Sequence, residues 1–404
     1  MLLNIAWRNI WRNKRRSLVV LSSVVVGVAA ILVIDGLNNG MLNQMLYNQI
    51  SSSVSHLQIH KSGYNDNKVI QSFIPESDKV EYKLQNTAGI EAYSKRVKAF
   101  GLVSSAYNSS GVYITGVIAS DEKRVSNIAD MMVEGSYLTD KKDEIIISKK
   151  MAEKLNVKLG SKIVVMASTL DGSPGQQLFK VTGIFETYSS TFDKSNIYIG
   201  LPDAQKLLEV GDEIYEFAVI AKNHEQIELL DSSIESGLDD RYEVLNYKEL
   251  LPMMIMQIQL TKESMMILNM IIGLALIFGI INTMLMSVFE RIREFGVLMA
   301  IGLKSGRLFR MVVTEALILG IIGTIAGIAA GYLFTLPFVH YGFDFSVFAE
   351  SLKSFGVGAK IYPAVSFENT ISVAIMIPII AVLGAIYPAY KAVKLQPVYA
   401  IRHV

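Results

Sequence analysis

Four stretches of this chain are long and apolar enough to cross a bilayer: Ser17 to Ile34, Met265 to Val288, Met311 to Phe338 and Ile371 to Tyr390. A helix needs about 20 mainly apolar residues to span a hydrocarbon core. With 51% hydrophobic residues and a mean hydropathy of +0.36, the 404-residue chain is too apolar for an ordinary soluble protein. It reads as a membrane protein with a folded extramembrane part. The first stretch follows a basic start, but its apolar run exceeds the ~7 to 15 residues of a signal-peptide core, so an uncleaved helix is expected. Net charge of +1 argues against a nucleic-acid binder, which concentrates positive charge. The absence of cysteine excludes disulfides, thiolate metal sites, cysteine nucleophiles and a lipidated cysteine.

Orientation follows from short basic flanks, which mark the cytoplasmic side. Arg8, Arg12, Lys14, Arg15 and Arg16 precede the first span. Arg291, Arg293, Lys304, Arg307 and Arg310 lie between the second and third, and Lys391, Lys394 and Arg402 follow the fourth. Both termini are therefore expected inside. The expected layout is an interfacial helix at 1–16, spans at 17–37, 262–289, 311–338 and 371–390, an external domain at 38–261, a cytoplasmic segment at 290–310, an external loop at 339–370 and a tail at 391–404.

The external segment reads as a compact mixed domain. Strand-like runs at His56 to His60, Gly111 to Val117, Glu144 to Ile147, Lys162 to Ala167, Leu178 to Phe185, Asn196 to Ile199 and Phe217 to Ala221 alternate with helix-like ones. Met151 to Leu155, Pro202 to Leu208 and Gln226 to Ser236 are the clearest short helices. The pattern suggests an outer lobe, about 45–130 and 212–255, enclosing a strand-rich insertion near 131–211.

A search for catalytic chemistry is mostly negative. No G-x-x-x-x-G-K-[ST] phosphate loop and no G-x-S-x-G elbow is present. His56 and His60 sit four apart in an alternating, strand-like run and read as ordinary surface histidines, with no metal site expected. The chain is expected to be no enzyme on its own.

Membrane features are more informative. Leu3, Ala6, Trp7, Ile10 and Trp11 recur at helical spacing, while Arg8, Asn9, Arg12 and Asn13 occupy the other face; this describes an amphipathic helix in the inner interface. Gly323, Gly327 and Gly331 fall four apart, a small-residue ridge for helix packing. Glu315, one turn into the third span, could pair with Arg310 or Arg307, and a proton-relay role is the sharper alternative. Asn269 and Asn282 suit either helix–helix hydrogen bonding or cavity lining. The segment between the second and third spans, ERIREFGVLMAIGLKSGRLFR, is unusually apolar for a cytoplasmic loop and needs a covering partner.

The order of elements, with the segments RNIWRNKRRS, ERIREFGVLMAIGLKSGRLFRMVVTEALILG and YPAYKAVKLQPVYAIR, resembles the FtsX/MacB-type permeases of ABC transporters across essentially the whole chain. The resemblance implies four transmembrane helices with a large α+β periplasmic domain of two subdomains between helices 1 and 2, in a bacterial inner membrane. It also implies that the segment from Arg291 through Arg293, Glu294, Phe295, Gly296, Val297, Leu298 and Ile301 to Gly302 is a coupling helix that docks on an ATPase. Because the chain starts close before its first span, that ATPase, a dimer binding ATP and Mg, is expected on another polypeptide, with no cofactor held here. A second permease, identical or related, is implied as well.

Length and domain size are most similar to the LolC/LolE lipoprotein-releasing permeases. Lys162 to Phe185 reads as a hairpin with a Gly- and Pro-containing tip. It resembles the protruding hook with which such permeases grip a periplasmic lipoprotein chaperone, with Leu170, Pro174, Gln176, Gln177 and Phe179 as the hook-like residues; an ordinary surface hairpin is the alternative. Three acyl chains of ~16 carbons resist transfer to water by roughly 35–40 kcal/mol, so lipoprotein release needs an apolar path. By resemblance, the cavity would lie where the first two spans of two subunits face each other, drawing on Val25, Val28, Ile31, Met266, Met270 and Ile277. Methionine suits variable apolar ligands, although filler in a packed core is the plainer reading. MacB-like efflux of peptides, antibiotics or toxins through an adaptor, and signalling to a periplasmic enzyme, are the alternative functions.

Overall fold

The computed structural model describes residues 2–12 and 14–394, with side chains throughout except at 2–6, 16 and 225. The side chains of Leu3, Ala6 and Arg16, together with Asn13 and the tail from 395 with Arg402, lie outside what is described.

One compact unit falls within 1–42, 257–344 and 360–404, and a second within 43–256 and 345–359. The first is built from helices α1 (Leu2–Arg12), α2 (Lys14–Gln49), α3 (Pro252–Glu290), α4 (Ile292–Ala300), α5 (Ser305–Tyr341) and α6 (Phe367–Val393). Of these, α2, α3, α5 and α6 have the length and apolarity of membrane spans. Helix α2 continues to Gln49 and ends in a π-helical turn, Ile50–Val54, while α3 already starts at Pro252. Residues 38–54 and 252–261, expected within the external domain, therefore extend the spans as helix. Hydropathy marks where an apolar run ends, but a helix stops only at a breaker or a cap, and Pro252 suits a first helical position.

Close packing in this unit rests on glycine. A Cβ at Gly323 would lie 2.7 Å from Val24, one at Gly327 2.6 Å from Val28, and one at Gly331 3.1 Å from Leu32. Two rows of residues four apart thus interlock, and their numbers rise together, so α2 and α5 run parallel. Gly273 against Ile380 and Gly384 against Ile280 set α3 parallel to α6 in the same way. Gly320 meets Ala381 and Tyr332 Oη lies 2.9 Å from Thr370 Oγ1, which makes α5 and α6 antiparallel. Four alternating crossings follow.

The loop expected at 339–370 is divided. Phe343–Asp344 pairs with Lys360–Ile361, and the chain then crosses α2 so closely that a Cβ at Gly40 would fall 2.0 Å from the Tyr362 carbonyl oxygen. Its middle, 345–359, belongs to the second unit, where Lys353 Nζ lies 2.5 Å from Glu186 and Asn48 donates to the Gly356 carbonyl at 2.9 Å.

The second unit holds strands β1 (Leu57–Lys61), β2 (Ile90–Ser104), β3 (Ser109–Val117), β4 (Met132–Gly135), β5 (Glu144–Ser148), β6 (Lys162–Ser168), β7 (Pro174–Phe185), β8 (Asn196–Gly200), β9 (Glu216–Ala221) and β10 (Tyr242–Asn246). They form one sheet in the order β10-β1-β9-β2-β3-β8-β5-β7-β4, and β6 pairs with both β2 and β7. The path β2-β3-β8-β5-β7-β6 returns to β2, closing a six-stranded ring and removing its free edges. Alternate residues point into it, including Val103, Val112, Ile114, Ile145, Ile147, Val165, Phe179, Val181 and Ile199, all buried. The outer pieces and the 131–211 insertion thus share a sheet, through the parallel β3–β8 pair and the β2–β6 pair.

Beneath the π-helical turn lies a buried charge network. Arg96, 1% exposed, grips Glu122 through Nε and Nη2 at 2.9 and 2.7 Å and Glu216 through Nη1 at 2.7 Å. It also donates to the Ser53 carbonyl at 3.0 Å. Lys98 Nζ lies 3.0 Å from the other Glu216 oxygen. Burial pushes the Glu216 carboxyl up, but Lys98, Arg96 and His60 overcome it and hold it at about 2.

Candidate functional site

Helix α4 ends where a left-handed residue is needed. Gly302 has φ +101°, its N–H donates to the Met299 carbonyl, and the Leu303 N–H donates to the Leu298 carbonyl, both at 3.0 Å. This is a Schellman C-cap, and it frees the chain to enter α5. Any side chain at 302 would be strained by that backbone.

Helical spacing then sorts the segment into two faces. Arg291, Phe295 and Gly296 are buried, whereas Arg293, Glu294, Val297, Leu298, Ile301 and Gly302 are exposed, Ile301 by 79%. This corrects the expectation that all nine residues present a docking face. The cause is Glu315 on α5: Arg291 Nη1 lies 3.2 Å from its carboxylate, with both side chains 8% exposed, and the Arg291 guanidinium covers the Phe295 ring at 5.0 Å. Glu315 therefore pairs with Arg291, where Arg310 or Arg307 was expected; Arg310 turns instead toward the Gly306 carbonyl.

A second pair ties in the N-terminal helix. Arg12 donates to Glu294, which Arg291 Nε also approaches at 3.2 Å. Burial raises the Glu294 carboxyl, yet the hydrogen bonds from Arg12 and Arg291 leave it below the usual carboxylate range. Arg12 was read only as interfacial charge; its spacing carries no sign of Glu294, which lies far along the chain. Asp35, also unforeseen, is 5% exposed and accepts a 3.4 Å hydrogen bond from Asn269. Asn282 lies on the exposed face of α3.

The expected cavity residues separate. Val28 and Ile31 are fully buried in the bundle core, with Val28 facing Gly327, and cannot line a path between subunits. Val25 is half-buried and Ile277 packs on the same core. Met266 and Met270 stay exposed on α3, in a stripe continued by Leu274 and Phe278.

The expected hook is corrected as well. β6 and β7 pair from Ser168–Pro174 to Lys162–Lys180, but both strands belong to the closed ring. The tip is fastened to the helix Leu201–Leu208: Leu170 N donates to the Leu208 carbonyl at 3.0 Å, and a Cβ at Gly175 would meet the Leu207 carbonyl oxygen at 2.2 Å. Hydrogen bonds from Thr169 and Ser173 hold the Asp171 carboxyl at about 2. Gln177 donates to Asp143 and Asp203 at 2.7 and 3.1 Å, and Phe179 is buried. Pro174 and Gln176 alone among the five are exposed.

The two histidines are structural. His56 Nδ1 accepts from the Ala221 N–H at 3.0 Å. His60, read as a surface residue, is 2% exposed, with Nδ1 2.9 Å from the Tyr215 carbonyl and Nε2 3.0 Å from Gln58. Burial holds both rings below their ordinary pKa.

A bundle of four membrane-length helices, a large α/β domain between the first two, and a short capped helix joining the second and third define the class: a membrane-spanning transport permease. Residues 17–236 match the MacB-like periplasmic core domain, and residues 266–397 match the FtsX-like permease C-terminal region. The first match alone covers more than half of the chain, which belongs to the MacB/FtsX-like family of ABC transporter permeases. It is 22% identical over 405 residues to the lipoprotein-releasing system transmembrane protein LolC of Neisseria meningitidis, covering 96% of this chain and 94% of that one. It is 29% identical over 347 residues to the pyoverdine export ATP-binding/permease protein PvdT of Pseudomonas aeruginosa, covering 80% of this chain and 49% of that one. Among solved structures, the extracellular domain of the noncanonic ABC-type transporter YknZ from Gram-positive bacteria matches with 19% identity and a TM-score of 0.35, over 48% of this chain and 100% of that domain.

Proposed function

We propose that this chain is the force-transmitting permease of an ATP-driven machine that draws lipid-anchored proteins out of the bilayer. The carrying observation is the division of α4: one face is locked to α5 by Arg291 and Glu315, and the other presents Val297, Leu298 and Ile301. An apolar face rimmed by Arg293 and Glu294 suits a docking ATPase, whose closure would move α4 and α5 as one body. Basic flanks on α1, α4 and α6 support a cytoplasmic position for this face and an external one for the α/β domain. ATP and Mg would be held by the ATPase, with no catalytic residue on the permease.

Similarity to LolC over nearly the whole chain supports lipoprotein as cargo, and the exposed Met266 and Met270 stripe supplies a deformable apolar surface for acyl chains or for a second permease. Depletion is expected to strand mature lipoproteins in the membrane that houses this protein. Normal lipoprotein sorting with new sensitivity to peptides or drugs contradicts that reading. It would favour export of soluble compounds from the periplasm, the second reading, which the fastened β6–β7 tip supports because it leaves little hook for a chaperone.

A further inference from the structure

The second unit contains a cavity of about 420 Å³ that no part of the coupling mechanism uses. That volume falls in the range of small-ligand sites, roughly 300–1,000 Å³. His60, Gln58 and Glu216 line it, all buried, and Lys98 and the rim residue Lys68 add two ammonium groups. Tyr64 stacks on His60 at 4.7 Å, while Phe100 and Tyr113 meet edge to face at 5.5 Å and leave much of their apolar surface open. Gln49 and Ser53, at the π-helical end of α2, complete the wall.

Charge decides what fits. Glu216 is the cavity's carboxylate, and both its oxygens are taken, one by Arg96 and one by Lys98. Lys98 has three donors and one carboxylate partner, and Lys68 has no ion pair among the described residues. The surplus is therefore positive and rich in donors, beside an aromatic edge. We infer that this cavity binds a small organic carboxylate with an apolar body, its carboxylate on Lys98 and Lys68 and its body against Phe100 and Tyr113. Ser53, which lines the cavity, also accepts from Arg96, so the cavity wall is continuous with the buried charge network.

The test uses the full-length protein in lipid nanodiscs, titrated by calorimetry with N-acetylphenylalanine and with its neutral amide. The acid is expected to bind at least about tenfold more tightly than the amide, the margin of one charge-assisted contact. Lys98→Met should abolish that preference while the amide still binds, which a merely unfolded variant would not do. Should Lys98→Met fail to fold, Lys68→Met at the exposed rim should reduce the preference by about threefold. Phenylpropionate and N-acetyl-Ala-Phe separate the sources: tighter binding of the first assigns the site to free acids, and of the second to peptide C termini. Equal binding of acid and amide, a preference that survives both substitutions, or no binding of either probe overturns the inference.

Discussion

Arg291 and Glu315 form a buried ion pair, 3.2 Å apart, between the start of α4 and the first third of α5. Both side chains are buried, and together they make the apolar outer face of α4 a fixed extension of a membrane span. Breaking such a pair from one side leaves a buried charge and costs about 3–5 kcal/mol, whereas removing both partners is far milder. Arg291→Met and Glu315→Leu alone are therefore expected to lower the melting temperature sharply. The double variant should recover most of the loss, and thermal unfolding of all three in one detergent checks this.

The glycine ladder predicts opposite signs for one chemical change. Gly327→Ala places a methyl 2.6 Å from Val28 and should destabilise by about 1–3 kcal/mol. Gly279→Ala on α3 meets nothing within 4 Å and should be neutral or stabilising by up to about 1 kcal/mol through helix propensity. Parallel melting curves distinguish the two.

In the α/β domain, Arg96→Met leaves Glu122 and Glu216 buried without their common cation. It is expected to cost about 3–5 kcal/mol, read as a drop in denaturant midpoint. The loss should also free the Ser53 carbonyl and loosen the π-helical turn, which hydrogen exchange across 50–54 would register.

Acid sensitivity follows from the same network. The Glu216 carboxyl is depressed from 4.5 to about 2, so its stabilising contribution is complete above 4.5 and is lost as pH falls toward 2, on the order of 3 kcal/mol. Asp193 works in the opposite sense: burial raises it from 3.8 to about 6, so protonation favours the fold as pH falls through that interval. A shallow profile between pH 6 and 4 and a steep loss below it are expected for the full-length protein, and Glu216→Gln should flatten the acid limb.

Much of the architecture was legible because periodicity reports burial. The runs at 56–60, 111–117, 144–147, 162–167, 178–185, 196–199 and 217–221 coincide with β1, β3, β5, β6, β7, β8 and β9. Strand β2 escaped because Lys95, Arg96 and Lys98 interrupt its alternation, and Arg96 is buried only by virtue of Glu122 and Glu216, distant in sequence. Closure of the ring by β6 against β2 is equally non-local, so the β6–β7 hairpin read as free when it is a structural strand pair. At the coupling segment, the sequence showed a near-continuous apolar run, whereas the structure separates buried Arg291 and Phe295 from exposed Val297, Leu298 and Ile301. Which face points inward depends on Glu315, whose partner among several nearby arginines no spacing rule selects.

The most direct test of ATPase docking on the outer face of α4 is capture of the ATPase by the purified permease carrying Leu298→Asp together with Ile301→Asp. Both positions are exposed, so the melting temperature should stay close to that of the unaltered protein while ATPase binding falls at least about a hundredfold, the size of an interface hot spot. Undiminished ATPase capture by a variant that melts normally would contradict the account.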